Sequence, residues 1–246
     1  MCLRLKYAEA VMWKNKAAEL ISRAKNKSAT IACDPLFNTN PRLSSLVSEI
    51  DSIKKRHGLL IEEALIFAIN KLSHWKAMKE KVPVAGGKAH LDCLALNAKT
   101  SQLYVFECKR GHGTFDSDKV RAIDLRLDKV RDSIGTHVSL KGWKPRSTDV
   151  FIMSFYGATW NSRYPIYDSG NISSLFEPCV GCFVTEYMRH VETATANAYN
   201  GELRDSYSSS TAESIFDLIG QDYAASNFDV LFDEHGSKFI SSDQPS

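Results

Sequence analysis

Period-two alternation dominates the middle of the chain. From His90 to Asn97, Asp92, Leu94 and Leu96 fall on one side and Leu91, Cys93 and Ala95 on the other. From Gln102 to Lys109, Leu103, Val105, Glu107 and Lys109 share a side. Alternation of this kind marks half-buried strands. A symmetric hairpin closed by Asn97 to Gln102 sets Leu96 opposite Leu103, Ala95 opposite Tyr104, Cys93 opposite Phe106, Asp92 opposite Glu107 and His90 opposite Lys109. Helical spacing stands on either side of the hairpin. Leu65, Ile69 and Leu72 recur after Gly58, and Val120, Ile123, Leu127, Val130 and Ile134 recur after Gly111-His112-Gly113, where Thr114, Asp116 or Ser117 can cap the helix. Asp149 to Tyr156 reads as a buried strand. A helix over residues 1–27, with Tyr7, Val11, Ala18 and Ile21 as its apolar side, a second helical segment at Leu43 to Lys55, and helices around Val184 to Val191 and Ile215 to Tyr223 complete the pattern.

These elements predict an α/β protein, a mixed central sheet flanked by helices with helical additions at both ends. The divisions are an N-terminal helical extension at 1–57, a core at 58–175, a C-terminal helical part of the same domain at 176–235 and a tail at 236–246.

The hairpin carries acid where a core wants none. Residues opposed on antiparallel strands have Cβ atoms about 5 Å apart, and like charges there destabilise the sheet. At an effective dielectric near 20, two carboxylates about 5 Å apart repel by roughly 3 kcal/mol. A positive group between Asp92 and Glu107 removes that cost. Lys109 is one; a divalent cation is a stronger one, and hard oxygen donors without an imidazole cluster favour Mg²⁺ or Mn²⁺.

Asp92, followed by Glu107-Cys108-Lys109 on the next strand, resembles the signature of the PD-(D/E)xK nuclease superfamily, with Leu91 in place of the proline. The resemblance runs from about Gly58 to Gly111 and more loosely to Phe155. It implies a restriction-endonuclease-like core, with the last strand parallel to its neighbour through a crossover helix. It implies a metal site made by Asp92, Glu107 and the backbone carbonyl of Cys108, with Lys109 orienting or deprotonating the attacking water. Members often carry a further glutamate on the preceding helix. Glu62 lies on the inward stripe with Leu65 and Ile69, and Glu63 lies beside it, nearer Phe67; periodicity alone does not choose between them.

Composition changes this picture little. The 246 residues are 43% apolar and 24% charged, ordinary for a soluble domain. No apolar run approaches a membrane span, and Lys6, Glu9, Lys14 and Lys16 interrupt any leader-like core, so a cytoplasmic protein without membrane contact is expected. The six cysteines lack framework spacing, and Cys179-Val-Gly-Cys182 stands alone, so thiols are expected.

Charge distribution adds more. The net charge is +2, yet the last 45 residues hold nine acids and two bases against 20 acids and 29 bases elsewhere. Such asymmetry fits a face that binds DNA, because lysine and arginine displace phosphate counterions. Lys14 and Lys16 on the first helix, His112 after the second strand, and Lys141, Trp143, Lys144 and Arg146 in one loop are the candidate contacts. Trp143 there is a candidate to stack on a base or wedge into a groove, the alternative being a ring packed under its own loop. The expected function is a Mg²⁺- or Mn²⁺-dependent DNA endonuclease, restriction-like or nicking, of the sort found in defence or mobile-element systems. The alternatives are a DNA-repair or junction nuclease and a non-catalytic nucleic-acid-binding protein that retains the fold. Double-strand cutting with one site per chain would call for a homodimer.

Overall fold

The computed structural model describes residues 7–28, 41–111 and 116–206. It is a mixed α/β structure with a five-stranded sheet and four α-helices in the order α1 (Tyr7–Ser28), α2 (Pro41–Asn70), β1 (Trp75–Val84), β2 (Gly87–Asn97), β3 (Gln102–Lys109), α3 (Ser117–Ser139), β4 (Ser147–Ser154), β5 (Ile166–Tyr167) and α4 (Pro178–Ser206). Strand order follows chain order; β1, β2 and β3 are antiparallel neighbours, whereas β4 and β5 join in parallel. The helix at Ile215 to Tyr223 and the tail expected at 236–246 lie outside the described residues.

The central hairpin forms in the register that alternation dictates, with Leu96 opposite Leu103, Ala95 opposite Tyr104 and Cys93 opposite Phe106. Its turn is held by Asn97, whose Oδ1 accepts from the amides of Lys99 and Thr100 at 2.9 and 3.1 Å. A short asparagine side chain replaces a backbone acceptor there. β4 then returns parallel to β3, with Phe106 beside Phe151 and Glu107 beside Ile152. A right-handed crossover is the ordinary outcome for such a connection, and α3 supplies it. Asp116 caps α3 by accepting from the Lys119 amide at 2.8 Å.

Leu94, Leu103 and Val105 of the sheet pack with Ile123, Leu127, Val130, Ile134 and Val138 of α3 and with Val150 and Ile152 of β4. The apolar face that carries Leu94 therefore lies under α3 and not under the helix bearing Glu62. That helix, α2, lies against β1 and β2, and the side chain of Asn70 at its end bonds both the N–H and the C=O of Ala77, at 2.8 and 2.9 Å. Edge-to-face contacts of Trp13 with Phe67, Phe183 and Tyr187 tie α1, α2 and α4 together. Burying Trp13 rotates the inner stripe of α1 to Trp13, Ala17, Leu20, Ile21 and Ala24, and leaves Ala18 exposed.

Two expectations need correction. α2 runs unbroken through Gly58, merging the two helical segments read from the sequence. One glycine costs a helix about 1 kcal/mol relative to alanine. The continuous inward row Ile53, His57, Ile61, Ala64, Leu65 and Ala68 outweighs it. The sequence reading also passed over β1, whose lysines and glutamate hide a strand of two buried residues, Ala77 and Val82.

The packing assigns unequal roles to two neighbouring leucines of α3. Leu127 is fully buried and Leu125 is 49% exposed. Leu127→Ala is expected to cost about 2–5 kcal/mol in urea unfolding, and Leu125→Ala less than about 1 kcal/mol. Equal losses would contradict the placement of α3 on the sheet.

Candidate functional site

A register shift in β2 shapes the site. Met78 of β1 pairs with Leu94, but Glu80 pairs with Leu91, so Asp92 and Cys93 together oppose Lys79. This is a β-bulge, which changes the phase of alternation and re-aims a side chain. Leu91 accordingly joins Leu94 in the core under α3. Strict alternation put Leu91 on the opposite side and Asp92 with Leu94 and Leu96; the extra residue corrects both.

The carboxylate of Asp92 closes the gap that the bulge opens. The paired register of β2 and β3 ends at Cys93 and Phe106, one step before Asp92 and Glu107. Beyond it, Asp92 Oδ2 accepts from the amide N–H of Cys108 at 2.8 Å. Asp92 thus stands at the seam of the two strands instead of facing Glu107 from one side of the hairpin. Burial, with the charge of Glu107 next in size, pushes its carboxyl up to about 6; the bond from Cys108 opposes the shift, Glu62 adds to it and Lys109 offsets it.

Glu107 continues the face of Leu103 and Val105 and is 1% exposed. An ionised carboxylate in that position needs cations. Two supply them: Lys109 from two residues along β3 and Arg126 from α3 both pair with Oε1. Oε2 is buried without a hydrogen-bond partner. Arg126 was not among the residues expected at the site. Its position just before the buried Leu127 is the signal that it flanks the sheet.

Glu62 and Glu63 part company. Glu62 bonds Lys79 at 2.7 Å, and its charge acts on Asp92, Cys93 and Cys108. Glu63 bonds Lys16 of α1 at 2.7 Å and lines a cleft with Met12, Trp13 and Phe67. The thiols of Cys93 and Cys108 are buried and pushed up, mainly by desolvation. Arg110, next after Lys109, lies over the ring of Tyr156 at 5.9 Å. Near it His57 of α2 is buried, and desolvation followed by the charge of Arg110 lowers it to about 4.

The candidate nucleic-acid contacts are dispersed. Lys14 is exposed, and Lys16 pairs with Glu63 and sits 4.5 Å from the Trp13 ring centre. Lys141 pairs with Glu80, while Lys144 and Arg146 are exposed. His112 lies outside the described residues. Trp143 is buried among Leu94, Val138 and Val150, which corrects the reading of it as a base-stacking residue. A loop tryptophan followed by a buried strand finds its own core first. No described helix is long and apolar enough to cross a membrane. Cys179 is buried and Cys182 exposed, both as free thiols.

No family model matches the chain, and neither does any curated protein or solved structure.

The donors suit a hard divalent cation in kind. Asp92 carries repulsion from Glu107 and Glu62 that the Cys108 amide and Lys109 only partly offset, and Glu107 keeps a buried oxygen without a partner. Among the described residues no three acids, histidines or cysteines are gathered for a metal. Mg²⁺ does not require such a cage, since it commonly takes one or two carboxylates and fills its shell with water and substrate phosphate.

The raised pKa of Asp92 gives a pH signature. The folded protein binds this proton more tightly than the unfolded chain, so the stabilising contribution is complete below about pH 4. It is lost as pH rises through about 6. Asp92→Asn keeps an acceptor for Cys108 and removes the charge. In metal-free buffer the wild type is expected to lose on the order of 2 kcal/mol relative to this variant between pH 4 and 7.5. Parallel stability profiles for the two proteins would contradict the assignment.

Proposed function

We propose that this protein is a divalent-metal-dependent DNA endonuclease of the restriction-endonuclease-like, PD-(D/E)xK kind. The observation that carries the reading is the electrostatic coupling of Asp92 and Glu107 at the open end of the β2–β3 ladder, with Lys109 on Glu107. The order of α2, the β1–β3 meander, α3 and a parallel β4 supports it, because this places a crossover helix and a returning strand directly after the Glu107-Cys108-Lys109 segment.

Asp92, Glu107 and the backbone carbonyl of Cys108 would hold Mg²⁺ or Mn²⁺, which supplies the Lewis acidity that phosphodiester hydrolysis needs. The chain's own groups do the rest. Lys109 Nζ, 29% exposed as a side chain, reaches solvent from a buried carboxylate and would hold the attacking water or carry its proton. The same ammonium offsets phosphate charge. Glu62, whose charge acts on Asp92, would orient water from the α2 side. The sheet and α3 screen Glu107 from bulk solvent, which strengthens each of these interactions.

A second reading has one observation of its own. Glu107 Oε1 already has two cations, so the acids can be understood as a satisfied structural network in a nucleic-acid-binding protein without catalysis. Incubation of supercoiled plasmid, linear duplex, branched DNA and RNA with and without Mg²⁺ separates the two. Mg²⁺-dependent nicked or linear products are expected from the wild type, and Lys109→Ala should lower the rate about 10²–10⁴-fold in protein that unfolding scans show to be folded, though less stable for the loss of one cation on Glu107. Binding without products, or cleavage undiminished in Lys109→Ala, favours the second reading or removes Lys109 from the chemistry.

A further inference from the structure

We infer that Arg126 belongs to the site as a clasp: in the ion-free protein its guanidinium holds Glu107 in place of a metal cation, and on loading it swings to a substrate phosphate. The inference rests on the nuclease reading and goes beyond it, since the sequence signature contains no residue from the crossover helix.

The geometry is unequal in a telling way. Glu107 is 1% exposed at its side chain, whereas Arg126 is 39% exposed. A buried anion therefore depends on a cation whose other end lies in water. The guanidinium of Arg126 meets the same Oε1 that Lys109 meets, leaving Oε2 unpartnered. Two cations on one oxygen and none on the other is a poor distribution of charge for a permanent bridge. It is a workable one for a carboxylate that exchanges partners.

A divalent ion at Glu107 repels both cations. Lys109 is fixed to β3 and stays near the carboxylate, while Arg126 has a long, half-exposed side chain and can leave. Its planar fork matches two phosphate oxygens, a match that an ammonium lacks. α3 is held in register while this happens. Asp124 accepts from Ser162 Oγ at 2.6 Å, and Asp128 accepts from Tyr164 Oη at 2.6 Å, so the helix is pinned to the 160–165 loop beside the moving side chain.

Mn²⁺ binding to the full-length, nucleic-acid-free protein, followed by calorimetry at low ionic strength, tests the clasp without relying on activity. Arg126→Ala should bind Mn²⁺ about tenfold more tightly than the wild type, and Arg126→Lys should fall between them. With Mg²⁺ saturating, Arg126→Ala should cleave DNA about 100-fold more slowly, the loss appearing in kcat. Unfolding midpoints in chelator report on whether each variant folds. Equal or weaker Mn²⁺ binding in a folded Arg126→Ala, alongside Asp92-dependent binding in the wild type, overturns the clasp and leaves the nuclease reading standing. No Asp92-dependent Mn²⁺ binding in any folded variant overturns both.

Discussion

Glu107 is the constraint around which the middle of this protein is arranged. A carboxylate almost wholly withdrawn from water is tolerated only where cations meet it. One cation comes from its own strand and the other from α3. The position of α3 on the sheet and the electrostatics of the candidate site are therefore a single problem. Leu127, Val130 and Ile134 bring the helix down onto Leu103 and Val105, and that descent delivers Arg126 to Glu107. Loss of apolar packing under α3 would leave a buried charge with one partner fewer.

The bulge at Asp92 and Cys93 is the second determinant. A regular ladder would have carried Leu91 away from the core and held Asp92 on the face of Leu94. One extra residue reverses both outcomes, burying Leu91 and turning the carboxylate into the seam, where it takes the Cys108 amide. The acid is thus bound into the backbone of the strand that carries Glu107. Burial first, and repulsion from Glu107 next, hold the Asp92 carboxyl above its ordinary range.

Much of this was legible in the residues. The hairpin register followed from alternation because both faces are buried and a slip of one residue would expose every apolar side chain. The parallel return of β4 was what the resemblance implied, with the helical repeat between Val120 and Ile134 as the crossover helix. Three features were not legible. The bulge leaves no mark in sequence, since Asp92 and Cys93 look like any alternating pair. β1 escaped notice because four of its ten residues are lysine or glutamate, although its alternation is that of a strand covered by α2 and α3 on opposite sides. Arg126 and Asp124 read as exposed helix charges; only tertiary contacts with Glu107 and with Ser162 and Arg163 give them partners. Trp143 was open in both directions, because aromatic and basic residues in one loop suggest recognition while the apolar cluster beside it had room for the ring.

The hard cation proposed for the acids at the β2–β3 seam is best sought by anomalous scattering from crystals grown with Mn²⁺. The account expects a single strong peak at about 2.1 Å from carboxylate oxygens of both Asp92 and Glu107. It also expects the Glu107 Oε2 atom, now without a partner, to face that peak. No peak between the two, with Asp92 still on the Cys108 amide and Glu107 still on Arg126, would contradict the account.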